Sequence, residues 1–178
     1  FRLDQNELRP LGRTARGVKS MNLRDGDKLV SMDVLTSELV EKLSKLDPLY
    51  DENNEEQDIN LSEGPWVLVA SSFGLGKRVP VTQFRLQKRA GMGLRAIKFR
   101  IKDDVLVGLK VLGAGEEILL VTERGVIVRT NADKVSQQSR AATGVKLQRL
   151  DEGDHLAEVV LVPHEQIDEE KNETEDSL

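Results

Sequence analysis

Arginine and lysine recur in this chain at a spacing that suits phosphate neutralisation rather than covalent catalysis. Arg78 and Arg129, Arg89 and Arg140, Gly74 and Gly125, and Gly93 and Gly144 are all pairs 51 residues apart. The text around the last pair reads Arg89-Ala-Gly-Met-Gly93-Leu-Arg95 against Arg140-Ala-Ala-Thr-Gly144-Val-Lys146, and it occurs a third time as Arg13-Thr-Ala-Arg-Gly17-Val-Lys19. A single basic residue on a solvent-facing strand is usually solvated surface, but recurrence at equivalent places of a repeat favours contact with a polyanion, whose phosphates such cations neutralise in a salt-dependent, sequence-tolerant way. The candidates are Arg2, Lys77, Arg78, Lys88, Arg89, Arg95, Arg129, Arg140 and Lys146, with Arg13, Arg16 and Lys19 in the first copy. The same recurrence is compatible with ion pairs between neighbouring repeats. The corner glycines serve turns first, and their backbone amides are a second source of phosphate donors.

Other chemistries lack their residues. There is no cysteine for a disulfide or a thiolate metal site. His155 and His164 stand among acidic residues, with no partner histidine at ligand spacing. Gly74-Leu-Gly76-Lys77-Arg78 departs from a phosphate-binding loop at Ser71 and Arg78, where glycine and a hydroxyl residue are needed. Tyr50, the single tyrosine, lies in an acidic stretch unsuited to a strand-cleaving nucleophile, and no histidine is placed to activate a serine. No transmembrane span or signal peptide is legible, so no membrane partner is expected and the sequence reads as a soluble intracellular fragment.

The formal net charge of −5 hides a segregated pattern. Residues 36–63 carry nine acids and two bases, residues 163–178 seven acids and one base, leaving +8 on the rest. Two acidic appendages mask a basic body, the asymmetry expected of a polyanion-binding chain.

The elements that must position these cations follow from the repeat. Trp66-Val-Leu-Val-Ala and Ile118-Leu-Leu-Val-Thr predict buried strands, each followed by a glycine turn and a returning strand over 75–79 or 126–130. A polar connection with the arginine–glycine motif follows. A third strand in the same repeat is predicted near 18–23 or 94–99, and a fourth over 28–35, 105–111 or 155–162. Four strands in about fifty residues is the size of one blade of a radial all-β repeat, which must stack on neighbours to bury its faces. The expected organisation is a truncated blade over 1–35, an acidic and unstructured insert over 36–63, complete blades over 64–113 and 114–163, and an acidic disordered tail over 164–178. Leu39, Leu43 and Leu46 fit one face of a short helix inside the insert, ended by Asp47-Pro48. Arg2 lies eleven residues before Arg13, as Arg78 does before Arg89, so the first copy is expected to begin upstream of the given sequence.

The hairpin with Lys77-Arg78, the repeated arginine–glycine corner and the run Arg13–Lys19 resemble the C-terminal region of DNA gyrase A subunits, from about residue 1 to 163. Gln87, Lys88, Arg89, Gly91 and Gly93 match that family's seven-residue basic box, whereas Ala90 and Met92 depart from a glycine and a base. The resemblance implies a β-pinwheel, propeller-like, with about three blades present and the first truncated. It implies sequence-nonspecific binding and wrapping of duplex DNA, supporting ATP-dependent negative supercoiling. The implied partners are duplex DNA, the rest of the gyrase A polypeptide and gyrase B in an A2B2 assembly. No cofactor is expected in this segment, with ATP and magnesium bound elsewhere. A cytoplasmic, nucleoid-associated or plastid location fits. The acidic tail is expected either to solubilise the chain or to compete with DNA for the basic rim. The alternatives are the A-type subunit of topoisomerase IV, within the same superfamily, and a propeller-type protein-interaction scaffold.

Overall fold

A computed structural model describes residues 2–46 and 64–162. The two hairpins form as the aliphatic runs predict. Trp66–Ser71 (β1) pairs antiparallel with Leu75–Pro80 (β2), and Glu117–Thr122 (β4) pairs antiparallel with Ile127–Asn131 (β5). Leu106–Leu112 (β3) returns to the free side of β1, and Leu156–Val162 (β7) does the same on β4. Both returning strands slip register at the same place, between Ala70 and Ser71 and between Val121 and Thr122. A single 3-10 turn follows the second strand position three times, at Gln5–Glu7, Val81–Gln83 and Ala132–Lys134. Three copies of one unit are therefore visible in the backbone as well as in the arginines.

The third strand departs from expectation. Val145–Lys146 (β6) completes not its own hairpin but that of the preceding repeat, pairing with Leu75 and Gly76 of β2. The sheets are thus β3-β1-β2-β6 and β5-β4-β7. A strand lent back in this way ties adjacent repeats through backbone hydrogen bonds. No strand forms over 94–99, where the Lys98 amide donates instead to the Ala142 carbonyl of the next corner. In the first copy 18–23 and 28–35 form no strand either. Ser31 Oγ instead donates to the Leu109 carbonyl and accepts from its amide, while Asp33 accepts from the Val111 amide along the β3 edge.

β1 is buried on both faces. Leu68 and Ala70 meet Ile118, Leu120, Leu156 and Val159 of the second sheet, whereas Val67 and Val69 face Val79, Phe84, Ile97 and Leu43. Each such aliphatic side chain contributes about 1.5–3 kcal/mol of burial free energy. Leu43 belongs to a helix over Ser37–Leu46 (α1), so the first part of the segment expected to be unstructured supplies an apolar cover for the first sheet. Leu43 is buried and Leu39 half-buried; the side chain of Leu46, residues 47–63 including Tyr50, and the tail from 163 onward, including His164, lie outside the described residues.

Two carboxylates before the fourth strands clamp the hairpin turns. Asp104 Oδ1 accepts from Ser72 Oγ and the Phe73 amide, and Asp154 Oδ1 accepts from the amides of Arg124 and His155. The hydrogen bond from Thr122, aided by these amides, holds the Asp154 carboxyl below its ordinary pKa. His155 packs edge-on against Phe73 and lies 3.5 Å from Glu123, and no group of metal-ligating residues occurs among the described residues. Nor is any described helix long and apolar enough to cross a membrane.

Candidate nucleic-acid interface

The candidate cations divide into two sets, and the division follows from where the repeat puts them. Those on the returning strand of the hairpin are consumed by the next repeat. The Lys77 side chain is 0% exposed, and its Nζ donates to the carbonyls of Ser139 (2.5 Å), Arg140 (2.8 Å) and Ala142 (2.7 Å). Arg78 is 11% exposed at its side chain. Its guanidinium donates to the Val135 carbonyl at 2.9 Å and to Asp133 Oδ1 at 2.7 Å, and it stacks 4.4 Å from the Trp66 ring centroid. Arg2 occupies the same place one repeat earlier, with Nη1 donating to the Phe84 carbonyl at 3.3 Å. These three, expected on a phosphate-binding rim, tie adjacent repeats: Lys77 and Arg78 on β2, and Arg2 at the matching place of the first copy, each donate to backbone carbonyls of the following copy. Arg129 is more exposed but is held by Glu117 on the neighbouring strand.

The corner cations are different. Arg13, Arg16, Lys19, Lys88, Arg89, Arg95 and Lys146 are exposed, with no ion pair among the described residues. Arg140 is half-buried and donates to the Arg95 carbonyl across a long 3.5 Å contact. Backbone bonds join each corner to its predecessor. The amide of Asn22 donates to the Gly91 carbonyl at 2.9 Å, and the equivalent amide of Lys98 donates to the Ala142 carbonyl at 3.1 Å. The amide of Ala90 also donates to Ser20. The three corners therefore adjoin in sequence along one path.

The sequence runs that carry these corners contain no acid. Residues 8–24, 84–102 and 136–150 hold five, seven and three bases respectively, and neither aspartate nor glutamate. Of these fifteen cations all but Arg140 are exposed, and the same acid-free runs also carry Arg9, Arg24, Arg85, Lys98, Arg100, Lys102 and Arg149, which the arginine–glycine motif does not single out. Their signal in the sequence is the acid-free run rather than the 51-residue period. Aspartate and glutamate sit instead at turns and beside the hairpin arginines. A surface where like charges gather without counter-charge costs self-repulsion, which a polyanion relieves on binding.

Comparison with known proteins matches the same three repeats. The family model described as the DNA gyrase C-terminal domain, beta-propeller, covers residues 1–36, 65–112 and 116–163. The chain belongs to this family. The DNA gyrase A subunit of Synechocystis sp. is 49% identical over 99% of the chain, and that of Staphylococcus aureus is 34% identical over 99%. The chain spans only 22% and 17% of those two relatives. Among solved structures, the DNA gyrase A C-terminal domain aligns with TM-score 0.65 and 26% identity over 89% of the chain and 45% of that structure. The C-terminal domain of DNA topoisomerase IV aligns with TM-score 0.51 and 25% identity over 61% of the chain and 32% of that structure. These likenesses establish the β-pinwheel architecture and the gyrase A family.

Within this family the degenerate basic box forms the second corner. Lys88 and Arg89 are exposed, Gln87, Gly91 and Gly93 half-buried, and Gly93 has φ +80°. Ala90, where the family pattern has glycine, sits at φ +60°, in the left-handed region. Placing a Cβ there costs about 1–2 kcal/mol, of which glycine's greater unfolded-state freedom returns part. Ala90→Gly is therefore expected to stabilise the chain by roughly 0.5–1 kcal/mol, read as a higher urea midpoint. An unchanged or lower midpoint refutes strain at Ala90.

Proposed function

We propose that this chain binds and wraps duplex DNA without reading its sequence, as part of a DNA gyrase A subunit. The observation that carries this reading is three acid-free runs with fifteen cations, all but one exposed, whose corners are joined by backbone hydrogen bonds. Exposed arginine and lysine neutralise backbone phosphates and release counterions without contacting base edges. Gyrase is favoured over topoisomerase IV because gyrase A relatives align along nearly the whole chain, insert included, whereas the topoisomerase IV structure aligns with 61% of it. A protein-interaction scaffold is disfavoured by the charge of the path, since protein interfaces are depleted of lysine at their centres.

In this proposal the wrapped duplex is presented to a longer A2B2 assembly. That assembly supercoils DNA negatively using ATP and magnesium bound outside this chain, in a bacterial cytoplasm or a plastid. In this reading the contribution of this segment is positioning.

Two arginine replacements test the reading. If about 4–6 phosphates are contacted, log K falls against log salt with a slope of roughly −4 to −5. Arg89→Ala and Arg140→Ala are each expected to weaken binding equally for all sequences and to make that slope shallower by about one unit, with thermal stability kept. Loss of stability at constant slope would instead make these arginines inter-repeat braces. Wild-type binding that ignores salt would end the proposal.

A further inference from the structure

A buried lysine with no carboxylate partner among the described residues needs a reason to be there. Lys77 is fully enclosed at the junction between β2 and the following repeat, and three carbonyls of one short corner converge on its ammonium within 2.8 Å. Burial, and secondly the nearby Arg140 guanidinium, lower its pKa to about 8, so it is charged at neutral pH. Three charge-assisted hydrogen bonds compensate for the lost hydration. The equivalent positions in the other two copies are Phe1 and Val128, neither of which carries an ammonium on its side chain.

The corner so held is the one that carries Arg140. Ala142 donates back to the Ser139 carbonyl at 3.1 Å, Gln83 Oε1 accepts from the Arg140 amide at 3.0 Å, and Gln138 Oε1 accepts from the Gly144 amide at 3.1 Å. Those two glutamines brace the ends of the turn. Among the described residues, only the ammonium links its carbonyls to β2 of the preceding repeat. Without that ammonium the Ser139 and Ala142 carbonyls keep the amides of Ala142 and Lys98, but the Arg140 carbonyl loses the one donor that meets it among the described residues and must turn toward water, and the Arg140 backbone turns with it.

We propose that Lys77 is a positioning residue for duplex binding, its ammonium fixing the Ser139–Ala142 backbone that presents Arg140 on the cationic path. The inference rests on the DNA-binding reading, and it assigns Lys77 an indirect role where its type suggests direct phosphate contact.

The test is a double-mutant cycle on the 178-residue chain, with a duplex of mixed sequence as probe. Lys77→Met is expected to weaken binding by roughly five- to tenfold, about as much as Arg140→Ala. The double variant should lie within about twofold of the weaker-binding single, since both act through one corner. Multiplying effects, with the salt slope losing about two units, would make Lys77 a phosphate contact and overturn the proposal. So would folded Lys77→Met with wild-type affinity. Failure of the wild type itself to bind duplex would overturn the DNA-binding reading first, a separate outcome.

If Lys77→Met does not fold, Lys77→Gln, which keeps two N–H donors, and lysine labelling of the wild type give the answer. Reductive dimethylation should spare Lys77 with and without duplex, while Lys88 and Lys146 react in the free chain and are protected by DNA. The glutamine variant should bind less than threefold more weakly than wild type. Ready labelling of Lys77 in the free, folded chain, or tenfold weakening in a folded glutamine variant, would overturn the proposal.

Discussion

Replacing Gly144 by alanine is expected to destabilise the chain by about 3–5 kcal/mol, a large fraction of the 5–15 kcal/mol that holds an ordinary domain together. Two costs add at this position. The residue has φ +96°, and a Cβ there would lie 2.6 Å from the oxygen and 2.8 Å from the carbonyl carbon of Gly76. The conformation alone costs an L residue roughly 1–2 kcal/mol. The clash is with backbone, which has no rotamer to change, and overpacking of this kind costs about 1–3 kcal/mol. Gly76 is itself closely packed, with Leu147 and the Val69 carbonyl (2.5 Å) lying where a Cβ would be. Relief would require β6 to leave β2, breaking the pairs Leu75–Lys146 and Gly76–Val145 and the hydrogen bond from Leu147 to Gly74. Gly125→Ala is the matched control: φ is +84°, but nothing lies within 4 Å of its Cβ. Its cost should stay near about 1–2 kcal/mol. Urea titrations of the two variants separate conformation from contact, and equal midpoints would refute the close approach of the exchanged strand.

This junction also shows where sequence reading stops. The aliphatic runs at Trp66–Ala70 and Ile118–Thr122 specify β1 and β4 because a buried strand demands β-branched and aliphatic residues whatever its partners. Their glycine turns place β2 and β5 within a residue or two. Strand exchange leaves no such local mark. Val145 and Lys146 have the same alternation whether they pair with their own hairpin or the preceding one, and only Gly76 facing Gly144 records the choice. The roles of the cations were half legible for the same reason. The 51-residue period marks arginine at equivalent places, but period alone does not distinguish a staple from a rim contact. Burial decides: Lys77 and Arg78 turn inward to the next repeat, while Lys88, Arg89 and Lys146 remain in water. The absence of acids from 84–102 and 136–150 separates the two sets better, because a structural arginine tends to keep a carboxylate nearby, as Arg78 keeps Asp133 and Arg129 keeps Glu117.

Arg78→Ala should therefore behave in the opposite way to Arg89→Ala: a loss of about 2–4 kcal/mol in stability, with the salt slope of DNA binding unchanged in the folded fraction. The guanidinium makes three kinds of contact that alanine cannot replace. It donates to the Val135 carbonyl at 2.9 Å and the Asp133 carbonyl at 3.0 Å, pairs with the Asp133 carboxylate, and covers the Trp66 ring. Hydrogen bonds from a charged donor contribute roughly 1.5–3 kcal/mol when the acceptor is otherwise left unmet. Desolvated stacking of a cation on tryptophan adds about 1–2 kcal/mol. The ion pair itself adds little, because Asp133 is 42% exposed and screened by water. Trp66 is 2% exposed, so removing its cover opens the start of β1 to solvent as well. Arg78→Lys should recover less than half of the loss, since an ammonium cannot span Val135 and Asp133 while lying flat on the indole. Melting curves recorded beside salt titrations decide the matter. A slope shallower by about one unit with an unchanged melting temperature would move Arg78 from the junction between repeats onto the DNA-binding path.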